Sequence, residues 1–213
     1  DETGMVPPET VLAADFGVNR HTVRAALSAL TQEGMLRPVQ GIGTLILRRE
    51  RLSLPISRRT RFTEGVGEQA RALSGALLDH AEEPASAAVS AALHLAPHAP
   101  VLRIETLRSA DKRGMSRSTA WFPLPRFHGL ADAFAKSGSV TAALRAFGVE
   151  DYVRVKTEIS AVHAEPGDLA DLGLAPGAIV LVTQAVNADP EGMPIQFAVS
   201  RFPADRVQFT VEV

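Results

Sequence analysis

One pattern occurs twice in the C-terminal part of the sequence, and this duplication constrains the fold more than any other feature. Residues 93–123 align with residues 172–203. The shared positions include Leu-Ala-Pro at 95–97 and 174–176, Gly-Met at 114–115 and 192–193, and Phe-Pro at 122–123 and 202–203. Two copies are too few for a solenoid, which needs at least three. The duplication therefore indicates one domain built from two similar halves.

Each copy predicts a helix, a turn and two strands. We expect the helices over residues 84–93 and 166–172, because each begins with a proline, which suits the first turn of a helix. The segments that follow, VLRIETLRSA and IVLVTQAVNA, alternate loosely between apolar and polar side chains, as strands do. The prediction is an α+β domain around a mostly antiparallel sheet. A ligand site between the related halves is the default hypothesis.

Two short helices joined by a three-residue link are predicted near the N-terminus. The first follows Pro7 and Pro8 and ends at Gly17, and the second has Asn19 as its N-cap and Gly34 just beyond its end. The spacing of the apolar residues of the second helix predicts that they face a core: Val23, Leu27 and Leu30. Its opposite face then exposes Arg20, His21, Arg24 and Ser28. The pair is a predicted helix-turn-helix.

A β-hairpin is predicted directly after the second helix. Apolar segments 35–39 and 45–47 flank Gly41-Ile42-Gly43, which is typical turn chemistry. A helix-turn-helix followed by a hairpin is a winged helix, whose second helix enters the major groove of DNA. Arg20 and Arg24, one turn apart, could then reach a guanine edge or a phosphate. The alternative is a solvated helix face without a partner.

The charge distribution fits a DNA-binding N-terminal part. Residues 1–61 carry nine Lys or Arg against six Asp or Glu, whereas the remainder carries thirteen against eighteen. A basic segment on an acidic body suggests that only the first part meets a polyanion. The chain has no cysteine, which excludes disulfides and thiolate metal sites. It has no long apolar run and no signal-peptide pattern, so we expect a soluble, cytoplasmic protein without membrane contact.

Residues 7–46 resemble the winged-helix domain of GntR-type transcriptional regulators. The resemblance rests on the segments FGVNRHTVR and GIGT. It implies that Arg20, Arg24 and Gly41 contact operator DNA. The predicted DNA-binding set adds their neighbours on the helix and the wing: His21, Thr22, Gln40, Gly43 and Thr44. The family often has an arginine where this chain has Thr10, so one phosphate contact is expected to be missing. The family domain also begins with a helix, which we expect upstream of Asp1; the alternative is that this protein lacks it.

The remainder resembles the UTRA effector domain, with its chorismate-lyase-like fold, of the HutC branch of GntR regulators. The similarity is greatest to the PhnF-type phosphonate-utilisation regulators, through the segments RTRFTEGV, STAWFP and FAVSRFPADRVQFTVE. We therefore expect a winged-helix domain over 1–48, a linker over 49–60 that acts as a hinge, and an effector-binding and dimerisation domain over 61–213.

The resemblance places a phosphate-binding Phe-Ser pair on Phe62 and Thr63, and the second of two ligand-binding arginines on Arg108. The first of these arginines corresponds to Thr106, and the sugar-binding glutamate corresponds to Ser118, so a cation and a carboxylate are lost. An anion site needs guanidinium groups, hydroxyls and free backbone N–H groups. The predicted effector site is Arg61, Phe62, Thr63, Arg108, Ser118 and Arg201, with Trp121 and Phe197 as apolar walls. The alternatives are that Arg108 and Arg201 pair with Glu105 and Asp205, and that Trp121 is a core residue.

The motifs of common enzymes are absent from the sequence. It has no His-Glu-x-x-His, Gly-x-Ser-x-Gly or nucleotide-binding glycine loop, so we expect no catalytic residues, no metal and no cofactor. The predicted function is a ligand-responsive regulator, in particular a homodimeric repressor that binds double-stranded operator DNA and a small phosphonate or phosphate-like anion. Two alternatives remain open: a sensor of a phosphosugar or another metabolite, and a DNA-binding protein whose second domain no longer binds a ligand.

Overall fold

A computed structural model describes residues 4–32, 35–46, 51–57 and 72–211. The chain divides into two compact units, of which the first ends at Glu50 and the second begins at Arg51. Within the described residues, no helix is both long enough and apolar enough to cross a membrane.

The N-terminal unit is a helix-turn-helix followed by a hairpin, as predicted. Helices α1 (Glu9–Asp15) and α2 (Arg20–Gln32) precede the antiparallel strands β1 (Leu36–Val39) and β2 (Gly43–Ile46). The Oδ1 atom of Asn19 accepts a hydrogen bond from the backbone N–H of Thr22 at 2.9 Å, which confirms the predicted N-cap of α2. Along α2, the predicted inward positions are buried or half-buried, whereas the arginines are exposed.

The C-terminal unit is built on a six-stranded sheet in which every neighbouring pair is antiparallel. Its strands are β4 (Leu73–Pro84), β5 (Pro100–Ala110), β6 (Arg113–Pro123), β7 (Val153–His163), β8 (Ile179–Ala188) and β9 (Pro194–Pro203). The spatial order is β4-β5-β6-β9-β8-β7, so the hairpin of the first copy meets the hairpin of the second copy at the middle of the sheet. This arrangement confirms the predicted duplication.

The helices of the two copies occupy equivalent places before their hairpins. They are α3 (Ala87–Leu93) and α6 (Pro166–Leu172). Pro166 begins α6 as predicted, but the prediction for α3 was wrong by three residues. Pro84 ends β4 instead, and Ser86 caps α3 by accepting a hydrogen bond from the N–H of Val89 at 3.3 Å. A serine hydroxyl satisfies a free N–H of the first turn, which a proline ring does not.

Helices α4 (Leu130–Ser137) and α5 (Val140–Arg145) connect the two copies and pack over one face of the sheet. The core beneath them combines aliphatic side chains with Phe122, Phe127 and Phe134, which are completely buried. The opposite face carries a second core, in which α3 packs against β9 through Val89, Leu93 and Phe197. The two faces of the sheet therefore pack against different helices, and away from the register shifts alternate side chains along a strand point to opposite faces.

Part of the predicted linker is a strand. Residues 52–55 form β3 (Leu52–Pro55), which pairs in parallel with β10 (Val207–Thr210) near the end of the chain. The backbone N–H groups of Leu52 and Ile56 donate to the carbonyls of Arg206 and Thr210, each at 2.8 Å. The C-terminal unit thus begins earlier than residue 61, because this segment finds hydrogen-bond partners about 150 residues away that no local sequence pattern reveals.

Candidate functional site

The exposed face of α2 carries the side chains predicted to contact DNA. Arg20, His21, Thr22 and Arg24 are all exposed. The hydroxyl of Thr22 donates to Oδ1 of Asn19 at 3.1 Å, so this side chain is held at the helix start. The two arginines, one turn apart, lie on the same side of the helix and both approach one carboxylate on α1.

That carboxylate belongs to Glu9. The Nε and Nη2 atoms of Arg24 donate to its two oxygens at 3.1 and 2.8 Å, and Nη2 of Arg20 lies 3.6 Å away. The hydrogen bonds from Arg24 lower the pKa of Glu9, and the same interaction raises the pKa of Arg24. The carboxylate therefore remains ionised under ordinary conditions. No sequence motif predicted a role for Glu9.

The tip of the wing presents backbone and small side chains to solvent. Gln40, Gly41 and Gly43 are exposed, and Thr44 is half-buried. Gly41 and Gly43 have φ values of 77° and 129°, a region that residues with a Cβ atom rarely adopt. Ile42 between them is 63% exposed, so the tip projects from the hairpin rather than packing on the unit.

A cavity of about 120 Å³ lies on the α5 face of the large sheet in the C-terminal unit. Alternate residues of the central strands form its floor, and the first residues of α5 form one wall. Leu54 and Ile56, in β3 and just after it, and Phe209 of β10 contribute an apolar wall. The cavity therefore combines residues from both copies with the segment that begins the unit.

The charged groups of this cavity are of one sign. Arg108 of β5 and Arg154 of β7 line it, and the described lining residues include no Asp or Glu. Burial lowers the pKa of both guanidinium groups, because a low-dielectric environment disfavours their charged form. Arginine nevertheless stays protonated in proteins. The cavity is thus a positively charged space that favours an anion.

Hydroxyl and amide groups surround the two arginines. The Nε atom of Arg154 donates to Oδ1 of Asn187 at 3.3 Å, and Nδ2 of Asn187 donates to Oε1 of Gln196 at 2.6 Å. Across the centre of the sheet, the hydroxyl of Ser118 donates to that of Ser200 at 2.8 Å. These contacts hold polar groups in fixed positions on the cavity floor, where they can orient a bound oxyanion.

The predicted effector residues fall into three groups. Arg108 and Ser118 line the cavity, which also contains Thr106, one of the two positions where the family charge is lost. Trp121, Phe197 and Arg201 lie on the opposite face of the sheet. Arg61, Phe62 and Thr63 lie outside the described residues, so their assignment stays a prediction.

Trp121 and Phe197, which were predicted as apolar walls of the effector site, do not line this cavity. Both follow a cavity-lining residue by an odd number of positions, and adjacent side chains in a strand point to opposite faces. Their rings stack with centroids 5.6 Å apart, beside α3. The indole N–H of Trp121 donates to Glu83 at 3.0 Å, so this residue belongs to the core, as the alternative interpretation held.

Arg201, which was also predicted at the effector site, does not line this cavity. Its Nε atom donates to both carboxylate oxygens of Asp168, at 2.8 and 2.9 Å, and Asp168 is completely buried. The carboxylate of Asp168 also accepts a hydrogen bond from the N–H of Glu165 and so caps α6. Arg201 therefore anchors a helix. Its partner is not the predicted Asp205, and Glu105 pairs with Arg103 and Arg117.

Sequence analysis missed Arg154, together with Asn187 and Gln196. Arg154 precedes the second copy of the repeat and has no motif around it. The only local signal for Arg154 is that it lies two residues after Tyr152, so that both side chains point to the same face and line the cavity. The proximity of Arg154 to Asn187 depends on the register of β7 against β8, which forms only in the tertiary structure.

Two family profiles match the chain: "Bacterial regulatory proteins, gntR family" over residues 3–46, and "UTRA domain" over residues 68–208. The chain belongs to the GntR family and carries a UTRA domain. It is 53% identical to the uncharacterized HTH-type transcriptional regulator RB1450 of Rhizobium meliloti, over all of this chain and 87% of that protein. It is 30% identical to the probable transcriptional regulator PhnF of Escherichia coli, over 97% of this chain and 86% of that protein.

The fold agrees with solved structures. The crystal structure of PhnF from Mycobacterium smegmatis superposes with a TM-score of 0.70 at 24% identity, covering 98% of this chain and 91% of that chain. The family match and the two relatives identify the protein as a transcriptional regulator of the GntR/PhnF type and not an enzyme, which confirms those two predictions. In this family the winged helix binds DNA and the UTRA domain binds a small ligand.

The ion pair beneath α6 yields a stability prediction. Asp168→Ala should lower the free energy of unfolding by about 3–5 kcal/mol, because it leaves the guanidinium of Arg201 half-buried without its bidentate partner. Chemical denaturation of the full chain measures this loss. Asp171→Ala, which removes a more exposed carboxylate of the same helix, is the matched control and should have a smaller effect. Equal effects would contradict the anchoring role of Asp168.

Proposed function

We propose that the protein is a repressor that binds a two-fold operator as a homodimer and releases it when a small phosphonate or phosphate-like anion occupies the cavity. The observation that carries this proposal is the presence of two arginines in a small cavity whose described lining has no carboxylate. A doubly charged oxyanion is the ligand that such a space accommodates best, since guanidinium groups bind phosphate and phosphonate oxygens in pairs.

The size of the cavity supports a small ligand. Its volume of about 120 Å³ lies well below the roughly 300–1,000 Å³ typical of sites for drug-sized molecules. A phosphosugar would need additional space and partners for its ring hydroxyls, and Ser118 stands where the sugar-binding carboxylate is expected. The PhnF of Mycobacterium smegmatis is named a transcriptional repressor, and this supports the direction of control.

The DNA contacts are assigned to α2 and the wing. Arg20, His21, Thr22 and Arg24 would meet the major groove, while Gln40, Gly41, Gly43 and Thr44 would lie along the backbone or the minor groove. A dimer would place two such units on half-sites about one helical turn apart. All of these residues except the half-buried Thr44 are exposed, which this assignment requires.

Strand β3 provides a route from the ligand to the DNA-binding unit. It is the first described element of the C-terminal unit, and five residues separate it in sequence from the last strand of the wing. Leu54 and Ile56 also form part of the cavity wall. A ligand shifts an equilibrium only by binding two states differently. We assign this differential contact to β3, where an occupied cavity would favour one position of the segment that follows the wing.

The proposed base contact predicts the effect of Arg24→Ala. The variant should lose about 1–3 kcal/mol of operator-binding free energy, because a guanidinium that reads a base is removed. Operator can be isolated from a randomised duplex library and its affinity measured by fluorescence anisotropy. Arg145→Ala, an exposed arginine at the end of α5, should bind as the unmodified protein does. Unchanged binding by the Arg24 variant would remove this residue from the interface.

The anion site predicts which arginines a ligand requires. Methylphosphonate or inorganic phosphate should raise the melting temperature in proportion to the logarithm of its concentration. Arg108→Ala and Arg154→Ala should each weaken ligand binding by about 1.5–3 kcal/mol, because each removes charged hydrogen bonds. The control Arg117→Ala alters an arginine on the opposite face and should keep the ligand-induced shift. A shift with glucose 6-phosphate alone would overturn the assignment of a small anion.

The coupling role of β3 predicts a change in hydrogen exchange. Ligand at a hundredfold excess over its Kd should slow exchange at the amides of Leu52 and Ile56 by up to about 100-fold. Amides of β4 serve as the comparison, because that strand does not line the cavity. Equal slowing in β3 and β4 would mean that the ligand stabilises the unit as a whole. The coupling role would then be wrong even though the ligand binds.

A further inference from the structure

Glu9 joins both arginines of the recognition helix to α1. The carboxylate accepts two hydrogen bonds from Arg24 and lies 3.6 Å from Arg20, although it belongs to a different helix. Its side chain is 27% exposed, whereas those of the two arginines are about 60% exposed. The carboxylate thus lies beneath the guanidinium groups, which remain on the outside of the unit.

The atoms that Arg24 uses determine which of its donors are left. A guanidinium has five N–H groups in one plane. One on Nε and one on Nη2 are directed at Glu9. Both N–H groups of Nη1 and the second one of Nη2 remain, and a pair of these forms a parallel fork at the end of the side chain. The O6 and N7 atoms of guanine accept such a fork in the major groove.

We propose that Glu9 is a positioning residue that commits Arg24 to a guanine edge in each half-site. This inference rests on the proposed function, in which α2 enters the major groove. The carboxylate fixes the plane of the guanidinium and leaves only its end-on fork for DNA. Without this restraint, a long arginine side chain would turn to the nearest phosphate, whose position is the same in every sequence.

The negative charge of Glu9 also favours sequence-specific over non-specific DNA binding. A carboxylate beside two arginines reduces the positive charge that DNA phosphates meet, and it lowers affinity for any duplex regardless of sequence. Glu9 therefore weakens non-specific binding while it favours the specific contact. Its removal should raise affinity for unrelated DNA and lower discrimination, a combination that general unfolding does not produce.

The test compares Glu9→Gln with the unmodified full chain on three duplexes. They are the operator isolated from a randomised library, the same operator with the critical G·C pair replaced, and a scrambled sequence. The ratio of the affinities for the first two duplexes should be smaller for the variant than for the unmodified protein, by a factor of about ten or more. The variant should bind the scrambled duplex at least as tightly as the unmodified protein does. The slope of log K against log salt concentration should be steeper than that of the unmodified protein by about one. Asp15→Asn, which removes the same charge at the other end of α1, should keep full discrimination.

A second variant keeps the inference testable if Glu9→Gln folds poorly, which thermal melting would reveal. Arg24→Lys preserves the charge but has no fork, so it should lose discrimination by itself. If Glu9 acts through Arg24, the double variant should discriminate no worse than Arg24→Lys alone. Additive losses would overturn the inference, as would full discrimination by a folded Glu9→Gln protein. These results differ from those expected if the proposed function itself is wrong. In that case the unmodified chain would select no consensus sequence from the randomised library, or Arg24→Ala would bind the operator as tightly as the unmodified protein.

Discussion

The antiparallel pairing of β6 with β9 is the contact on which the C-terminal unit depends. It joins the two copies of the repeat at the middle of the sheet, with Ser118 opposite Ser200 and Trp121 opposite Phe197. Since side chains alternate between faces, this register places the hydroxyls on the cavity floor and the aromatic rings against α3. A shift of one residue would exchange the two sets and destroy both the cavity and the second core.

Arginines are used differently on the two faces of this sheet. On the α3 face, Arg103, Arg117 and Arg201 each contact one or more carboxylates. The partner of Arg201 is the buried carboxylate of Asp168. On the cavity face, Arg108 and Arg154 lie among hydroxyl and amide groups. Guanidinium groups paired with carboxylates stabilise the fold, whereas those that line a cavity without carboxylates give it the positive potential that attracts an anion. The winged helix shows a third arrangement, in which one carboxylate contacts two exposed arginines.

Much of the fold could be predicted because its signals are local. The N-cap Asn19, the apolar spacing of α2 and the glycines of the wing are all read from neighbouring residues, and the repeat is read by comparing two segments. The lining of the cavity could be predicted only in part. Arg108 and Ser118 were placed there through resemblance, whereas Trp121, Phe197 and Arg201 were predicted beside them although each lies an odd number of positions from a cavity-lining residue of its own strand.

The sequence by itself determined the duplicated α+β architecture, the helix-turn-helix with its wing, and the family to which the chain belongs. Only the tertiary structure decided which arginines line the cavity, that β3 pairs with β10, and that Glu9 reaches α2 from another helix. The physical reason is distance along the chain. Periodicity, caps and turns act over a few residues, whereas strand register and ion pairs join residues whose separation in sequence carries no information about their separation in space.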